Sequence, residues 1–457
     1  MSHKHAKLRK VMRPVDVWGL ALGAIIGWGC FVLPGAAFLP KAGPAGTSVG
    51  MLIGALLIIV IAASYGFLIR KFPISGGEFV YTKEAFGKTN AFVCGWAMIL
   101  AYWSLIPLNA TALALISRYL FPGIIQQGLL YQIAGWDVYA GEVVLASAAI
   151  VIMALINIRG IKQAAWIQTA IALTLVGCIL IVTFLVFCMS DWSNLAPGFP
   201  EGRNWWTGVF SIVAMAPWAF IGFDCIPQSA EEYNFSHRKS TFIMVSAILV
   251  AALLYISVCA VTAVGVAPWQ QLLDMNTSWP TGFVVRNVIG LAGIVVLGIA
   301  MFCAVVSGMN AFYISTSRLM YAMAKEGSLP KWFEKLSPKY GTPRNAIIFT
   351  MVMSLFAPWF GREILLWIVD MTSVGAAIVF AYTTASAAVL GYRNGNRKYA
   401  LLGVVGCIFS LVFLSLLVSP GMPGYLSFQS RVVLLVWIAM GFIFYFTIRK
   451  SYVKGQN

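Results

Sequence analysis

The chain has 457 residues, 60% of them hydrophobic and only 10% charged, with a mean hydropathy of +0.85. Soluble domains carry roughly 45–50% apolar and about 25% charged residues, so a water-soluble enzyme or binding module is excluded and a polytopic helical membrane protein is expected. The formal net charge of +16 is spread over many short loops, which marks topology rather than a nucleic-acid ligand.

Residues 1–14 form a polar, basic tail without a small-residue cleavage site, so the first apolar stretch reads as a retained span rather than a cleaved signal. A helical crossing takes about 20 apolar residues. About twelve stretches qualify, near 15–38, 47–69, 91–118, 143–158, 164–189, 206–229, 241–265, 284–322, 345–360, 364–391, 399–419 and 430–448. With the N-terminus in the cytoplasm, 25 of the 31 Lys and Arg fall on the cytoplasmic side and 6 on the outer side. That bias follows the positive-inside rule and predicts both termini in the cytoplasm. The loop "KFPISGGEFVYTKEAFG" (71–87) is too polar for a span and too aromatic for a linker, and predicts a cytoplasmic half-helix.

The first span contains "GLALGAIIGWGCFVLPG" (19–35). Gly19, Gly23 and Gly27 recur every four residues, a small-residue face that lets an unbroken helix pack closely. Gly29 and Pro34 leave that face and point instead to a break. In hydrocarbon an unpaired backbone group costs several kcal/mol, so non-helical backbone survives only where protein or a water-filled cavity satisfies it. The sixth span, "VAMAPWAFIGFDCIPQSAEE" (213–232), carries Pro217, Gly222, Asp224 and Pro227 and repeats the five-residue Gly-to-Pro spacing. Two interrupted spans at matching positions predict two inverted five-span halves with a ligand site between them. Half-helix N-termini suit a carboxylate and freed carbonyls suit an ammonium, so a zwitterionic amino acid or an amine fits.

Asp224 near mid-membrane is costly and marks a function. It reads as a proton acceptor, as the counter-charge to a substrate amine, or as an N-cap of the second half of span six. Trp28 and Trp218 lie inside their spans, where each is core filler or an indole face for an ammonium. Asp370 reads as a packing or capping residue. Glu231 and Glu232 default to a solvated face or a gate ion pair, and Glu78 and Glu84 likewise. The eight cysteines fall singly and read as packing residues. His3, His5 and His237 lie in the tail or a loop, so no metal site is expected.

With these stretches in order, the chain resembles the amino acid–polyamine–organocation superfamily of secondary transporters. "GWGCFVLPG" is similar to its first span, "PISGGEFVYTKEAFG" to its cytoplasmic loop, "WAFIGFDCIPQSAEE" to span six, and "SGMNAFYISTSRLMYAMAKEGSLPKWFEKLSPKYGTPRNA" to span eight with its loop. The resemblance implies an all-α membrane fold of twelve helices with a five-plus-five inverted repeat and broken helices one and six. Its parts would be a tail (1–14), a first repeat (15–190), a second repeat (191–392) and two last helices (393–457). By the same resemblance the backbone of Ile26, Gly27, Trp28 and Gly29 would hold a carboxylate. Trp218, Ala219, Phe220 and Ile221 with Gly222 would receive the amine, Trp218 acting as a gate. Phe312 would be a second stacking aromatic, Tyr102 and Asn109 gate and pocket wall, and Asp224 a pH-sensing carboxylate.

The sequence also departs from that pattern. Trp28 stands where a small residue is commoner in the family. Residues 164–184 hold no lysine to replace a sodium ion, and Ser307 next to Val306 makes at best half of a sodium site. A proton gradient through Asp224, or exchange against a counter-substrate, is therefore expected ahead of sodium. No further cofactor is implied.

The expected function is a secondary transporter of amino acids or related amines in the cytoplasmic (inner) membrane, with polyamines or organic cations as the alternative substrate. Its expected partners are the small-molecule substrate and the bilayer, not nucleic acid, with monomer and homodimer both open. A membrane enzyme or a channel is the alternative from another class. An enzyme would need clustered His, Asp and Glu or a nucleophile with a base, whereas the spans offer Asp224 and Asp370 on different helices and no histidine; a channel needs no paired breaks, and no phosphate-binding GxxxxGK[ST] loop is present.

Overall fold

A computed structural model describes residues 10–133, 136–202, 204–275, 277, 279–361, 363–422 and 424–454. Pro14 presets the first turn of α1 (Pro14–Ile25), where Asp16 accepts the Arg13 backbone N–H at 2.9 Å and its guanidinium at 3.0 Å. After Ile25 the backbone opens, then α2 (Gly29–Leu33) runs through a wide turn at Pro34–Phe38 into α3 (Leu39–Lys71). α3 bends at Gly43, whose φ of +67° and a Gly198 carbonyl 2.7 Å from where a Cβ would sit leave room for glycine alone.

The loop expected as a half-helix contains α4 (Gly77–Phe86), followed by α5 (Lys88–Leu120). The next connection folds into an antiparallel hairpin of β1 (Leu129–Ile133) and β2 (Trp136–Tyr139). Its base is held by Arg118, which reaches the Asp137 carbonyl at 2.9 Å and the Glu142 carboxylate at 2.8 Å. Then come α6 (Ala140–Arg159), α7 (Ile161–Met189), α8 (Trp205–Ala214), α9 (Ala216–Ala219), α10 (Cys225–Gln228) and α11 (Ser240–Val264). The chain continues with α12 (Trp269–Asp274), α13 (Pro280–Ile289), α14 (Leu291–Lys325), α15 (Arg344–Ser354), α16 (Glu363–Arg393), α17 (Arg397–Val418) and α18 (Phe428–Lys454). The eighth expected span begins later than read, at Leu291, because Gly290 at φ +84° separates α13 from α14.

Among the described residues, nine helical runs are long and apolar enough to cross a membrane, and shorter apolar helices cover Pro14–Ile25, Trp205–Ala214 and Arg344–Phe360. Outward faces are apolar as well as inward ones: Leu180 and Phe184 on α7, Leu401 and Ile408 on α17, and Leu435 and Ile443 on α18 are all exposed. Water would penalise such a surface, and hydrocarbon does not. This is an all-α multi-pass membrane protein with one small hairpin. Its centre is α1 and α14, the latter buried on most sides, packed against α5, α7 and α11.

Candidate functional site

Two non-helical stretches meet at the centre. At the first, Ile26 is extended (φ −85°, ψ 90°) with its N–H on the Leu22 carbonyl at 2.8 Å, and Gly27 N–H reaches the Ile25 carbonyl at 3.1 Å. Among the described residues the N–H groups of Trp28 and Gly29 find no backbone acceptor. At the second, α9 ends at Ala219 and α10 starts at Cys225, with Gly222 at φ +126° between them. A Cβ on Gly222 would lie 2.6 Å from Ala24 Cβ and 2.7 Å from Ile25 N, so the second stretch presses onto the open end of α1. A Cβ on Gly29 would strike the Trp218 ring. The glycines are what let the two chains touch.

Side chains from four elements converge there. Trp28 and Trp218 stand edge to face with centroids 6.5 Å apart and planes at 66°. Tyr102 on α5 and Phe312 on α14 pair at 5.8 Å. Asn109 on α5 binds the Leu105 carbonyl through Nδ2 at 2.8 Å, and its Oδ1 lies 3.3 Å from where a Gly27 Cβ would be. Asp224 accepts the Gly222 N–H through Oδ1 at 2.7 Å, which shapes the turn but is no cap of α10. Five buried polar atoms lack a protein partner: Trp28 Nε1, Tyr102 Oη, Asn109 Oδ1, Trp218 Nε1 and Asp224 Oδ2. Buried polar groups are normally paired, so a cluster of orphans suits a polar guest.

Other expected site residues stand apart. Ala219 and Phe220 keep helical hydrogen bonds, to the Met215 and Ala216 carbonyls at 2.8 and 3.0 Å, and the Phe220 ring packs on Tyr255 at 6.4 Å rather than on the tryptophans. Ile221 is buried beside them. Ser307 meets α1 as expected, but through Gln168 of α7: Gln168 Nε2 donates to Ser307 Oγ at 2.6 Å and to the Gly19 carbonyl at 3.2 Å, while its Oε1 accepts from Asn310 at 2.9 Å. Gly23 packs flush on this pair, and Gly19 on Thr169, so the small-residue face serves close packing while the break lies beyond it.

Three residues escaped the sequence reading. Tyr255 donates its hydroxyl to the Ile25 carbonyl at 3.3 Å and Trp279 its Nε1 to the Phe31 carbonyl at 2.8 Å, satisfying backbone on both sides of the first break. Both sit in apolar or loop surroundings that carry no signal. Gln168 did carry one, a lone amide in a long apolar run. Of the acids, Glu232 forms the expected ion pair, with Arg318 at 2.9 Å, both buried, and Glu231 accepts the Ser75 N–H at 3.1 Å. Glu84 is exposed, whereas Glu78 is fully buried and neither solvated nor ion-paired, contrary to expectation. Asp370 accepts from Ser430 at 2.7 Å, tying α16 to α18.

The family model described as amino acid permease matches residues 14–444. The chain belongs to the amino acid permease family, within the amino acid–polyamine–organocation superfamily. It is similar to the methylthioribose transporter of Bacillus subtilis (strain 168), 27% identical over 98% of this chain and 95% of that protein. It is similar to the branched-chain amino acid permease BcaP of the same organism, 25% identical over 98% of this chain and 94% of that protein. A more distant length match is cationic amino acid transporter 4 of Mus musculus, 27% identical over 86% of this chain and 62% of that protein. This permease is therefore a transporter and not an enzyme.

Proposed function

We propose that this permease moves amino acids or related amines by alternating access around the point where the two interrupted helices meet. One observation carries the reading: Gly29 under Trp218 and Gly222 against Ile25 bring open backbone from both breaks together among five buried, unpartnered polar atoms. Open N–H groups at Trp28 and Gly29 suit a carboxylate, and Asp224 with the tryptophan faces suits an amine. The architecture in this reading has twelve crossings, nine long helices plus the three shorter apolar ones. Residues 15–190 and 191–392 are its inverted halves, followed by two last helices, and both termini lie in the cytoplasm of an inner-membrane protein.

Coupling to protons or to a counter-substrate is favoured over sodium. The Gln168 amide, a donor, already occupies the Ser307 hydroxyl and the Gly19 carbonyl that a cation would need. The transport and coupling readings stand or fall with one assay. Proteoliposomes holding the full chain are offered labelled L-leucine, L-arginine, L-glutamate, putrescine and methylthioribose, under a pH or sodium gradient and with or without the same compound inside. Uptake of at least one amino acid or amine, stimulated by internal substrate or by the proton gradient, is expected. Uptake of methylthioribose alone would replace the substrate class, and movement of none would end the transport reading for this site.

A further inference from the structure

We propose that Glu78 is a second proton-binding residue of this permease, holding its proton while α4 is docked on α10 and exchanging it with cytoplasmic water when α4 lifts off. The proposal rests on the transport reading above and adds a residue which that reading does not use. Glu78 lies in the first turn of α4, outside the long apolar runs, on a helix that starts flush against its neighbours. Gly76 and Gly77 have φ of +101° and +40°. A Cβ on Gly76 would sit 2.5 Å from Ala322 Cβ, and one on Gly77 3.0 Å from Gln228 Nε2. Only glycines allow that approach, and it leaves Glu78 with no exposed surface.

Gln228 of α10 donates its amide to Glu78 Oε2, while Glu78 Oε1, Gln228 Oε1 and the Tyr65 hydroxyl have no partner. The nearby cations are taken: Lys83, on the same helix, pairs with Glu326 at 2.6 Å, and Arg318 of α14 pairs with Glu232 at 2.9 Å. The titratable groups around Glu78 among the described residues are Asp224 just before α10, Cys225 in it, Tyr65 of α3, Cys94 and Tyr102 of α5 and Tyr81 of α4 itself, none of them a cation. Thr383, from α16, adds a hydroxyl near Tyr65. An unpaired carboxylate in such a place is costly and takes a proton instead. Burial first, and the Asp224 charge second, push the Glu78 carboxyl well above the usual carboxylate range.

Tyr65 packs its ring edge-on to Phe223 at 5.2 Å in the second break. When α4 separates from α10, the Gln228 hydrogen bond breaks, Glu78 hydrates, and its proton exchanges with the cytoplasm. The docked state binds the proton more tightly than the undocked one. Acid therefore strengthens docking, and docking weakens as pH rises through the raised docked pKa.

The test uses the full chain in lipid nanodiscs and reads the infrared band of protonated carboxyls against pH, which needs no substrate. Glu78→Gln should remove one band that titrates above the ordinary carboxylate range. Asp224→Asn should keep that band and lower its midpoint, and Gln228→Met should raise it. A spectrum unchanged by Glu78→Gln, or a Glu78 band titrating in the ordinary range, would overturn the proposal. Should Glu78→Gln fail to fold, the opposite shifts in the other two variants carry the same decision. In proteoliposomes, Glu78→Gln should cut proton-driven uptake of L-leucine or L-arginine relative to counterflow exchange by tenfold or more. A merely structural glutamate would lower both together, which would overturn the coupling role. If the wild-type chain moves neither amino acid, the transport reading fails on its own, and the infrared band still decides whether Glu78 holds a proton above the ordinary carboxylate range.

Discussion

A methyl group at Gly29 would collide with the six-membered ring of Trp218, so that ring must give way. Gly29→Ala should therefore displace Trp218 and raise the half-saturation concentration of a transported substrate about tenfold, roughly the 1.4 kcal/mol of one lost aromatic contact. The unfolding temperature should hardly change. Transport kinetics beside a thermal melt check this, and an unchanged half-saturation takes Trp218 out of the pocket. Gly222 is different, because a Cβ there meets the Ile25 backbone and because φ is +126°. Gly222→Ala should cost about 1–3 kcal/mol of stability through strain, read as an early melt of the purified chain. Asp224→Asn keeps an oxygen for the Gly222 N–H and removes the ionisable group. The turn should survive while the pH dependence of uptake disappears, and an unaltered pH profile would assign coupling elsewhere.

Helix ends at the tail side of the bundle are tied by charge. Arg318 of α14 binds Glu232 just beyond α10, and the carbonyl of Glu232 also accepts the Val11 and Met12 N–H groups at 2.9 and 3.0 Å. Both side chains of the pair are buried, so removing one strands the other. Arg318→Ala is expected to cost roughly 3–5 kcal/mol, and the double variant Arg318→Ala with Glu232→Ala to cost clearly less than the two singles added. Thermal unfolding of the three variants measures both numbers; additive losses would show the pair to be uncoupled. The half-helix α4 was legible in the sequence because residues 71–87 were too polar to cross and too aromatic to be idle. The hairpin at 129–139 was not, since a short two-stranded ribbon depends on the Arg118 anchor, supplied from the end of α5.

Charge asymmetry orients the permease as a unit. Cations crowd the loops on one side, so a fluorescent-protein fusion at the C-terminus should fold and glow in a bacterial host, and an alkaline phosphatase fusion in the 190–205 loop should be active. The reverse pattern would invert the topology. The same scale explains why α7, α17 and α18 expose leucine, isoleucine and phenylalanine without penalty, since hydrocarbon rather than water lies against them.

Membrane residence and helical class could be read from the chain because each depends on a sum over neighbouring residues. Apolar length decides crossing, and clustered glycine and proline weaken a helix wherever they stand. Folding in space settled what lies across the gaps. Phe220 turned to Tyr255, Gln168 reached Ser307, and Glu78, expected at a solvated rim, was sealed beneath Gln228. Those outcomes join residues up to about 150 positions apart in sequence, where local pattern carries no information about distance, and it is distance that sets whether an amide or a carboxyl finds a partner.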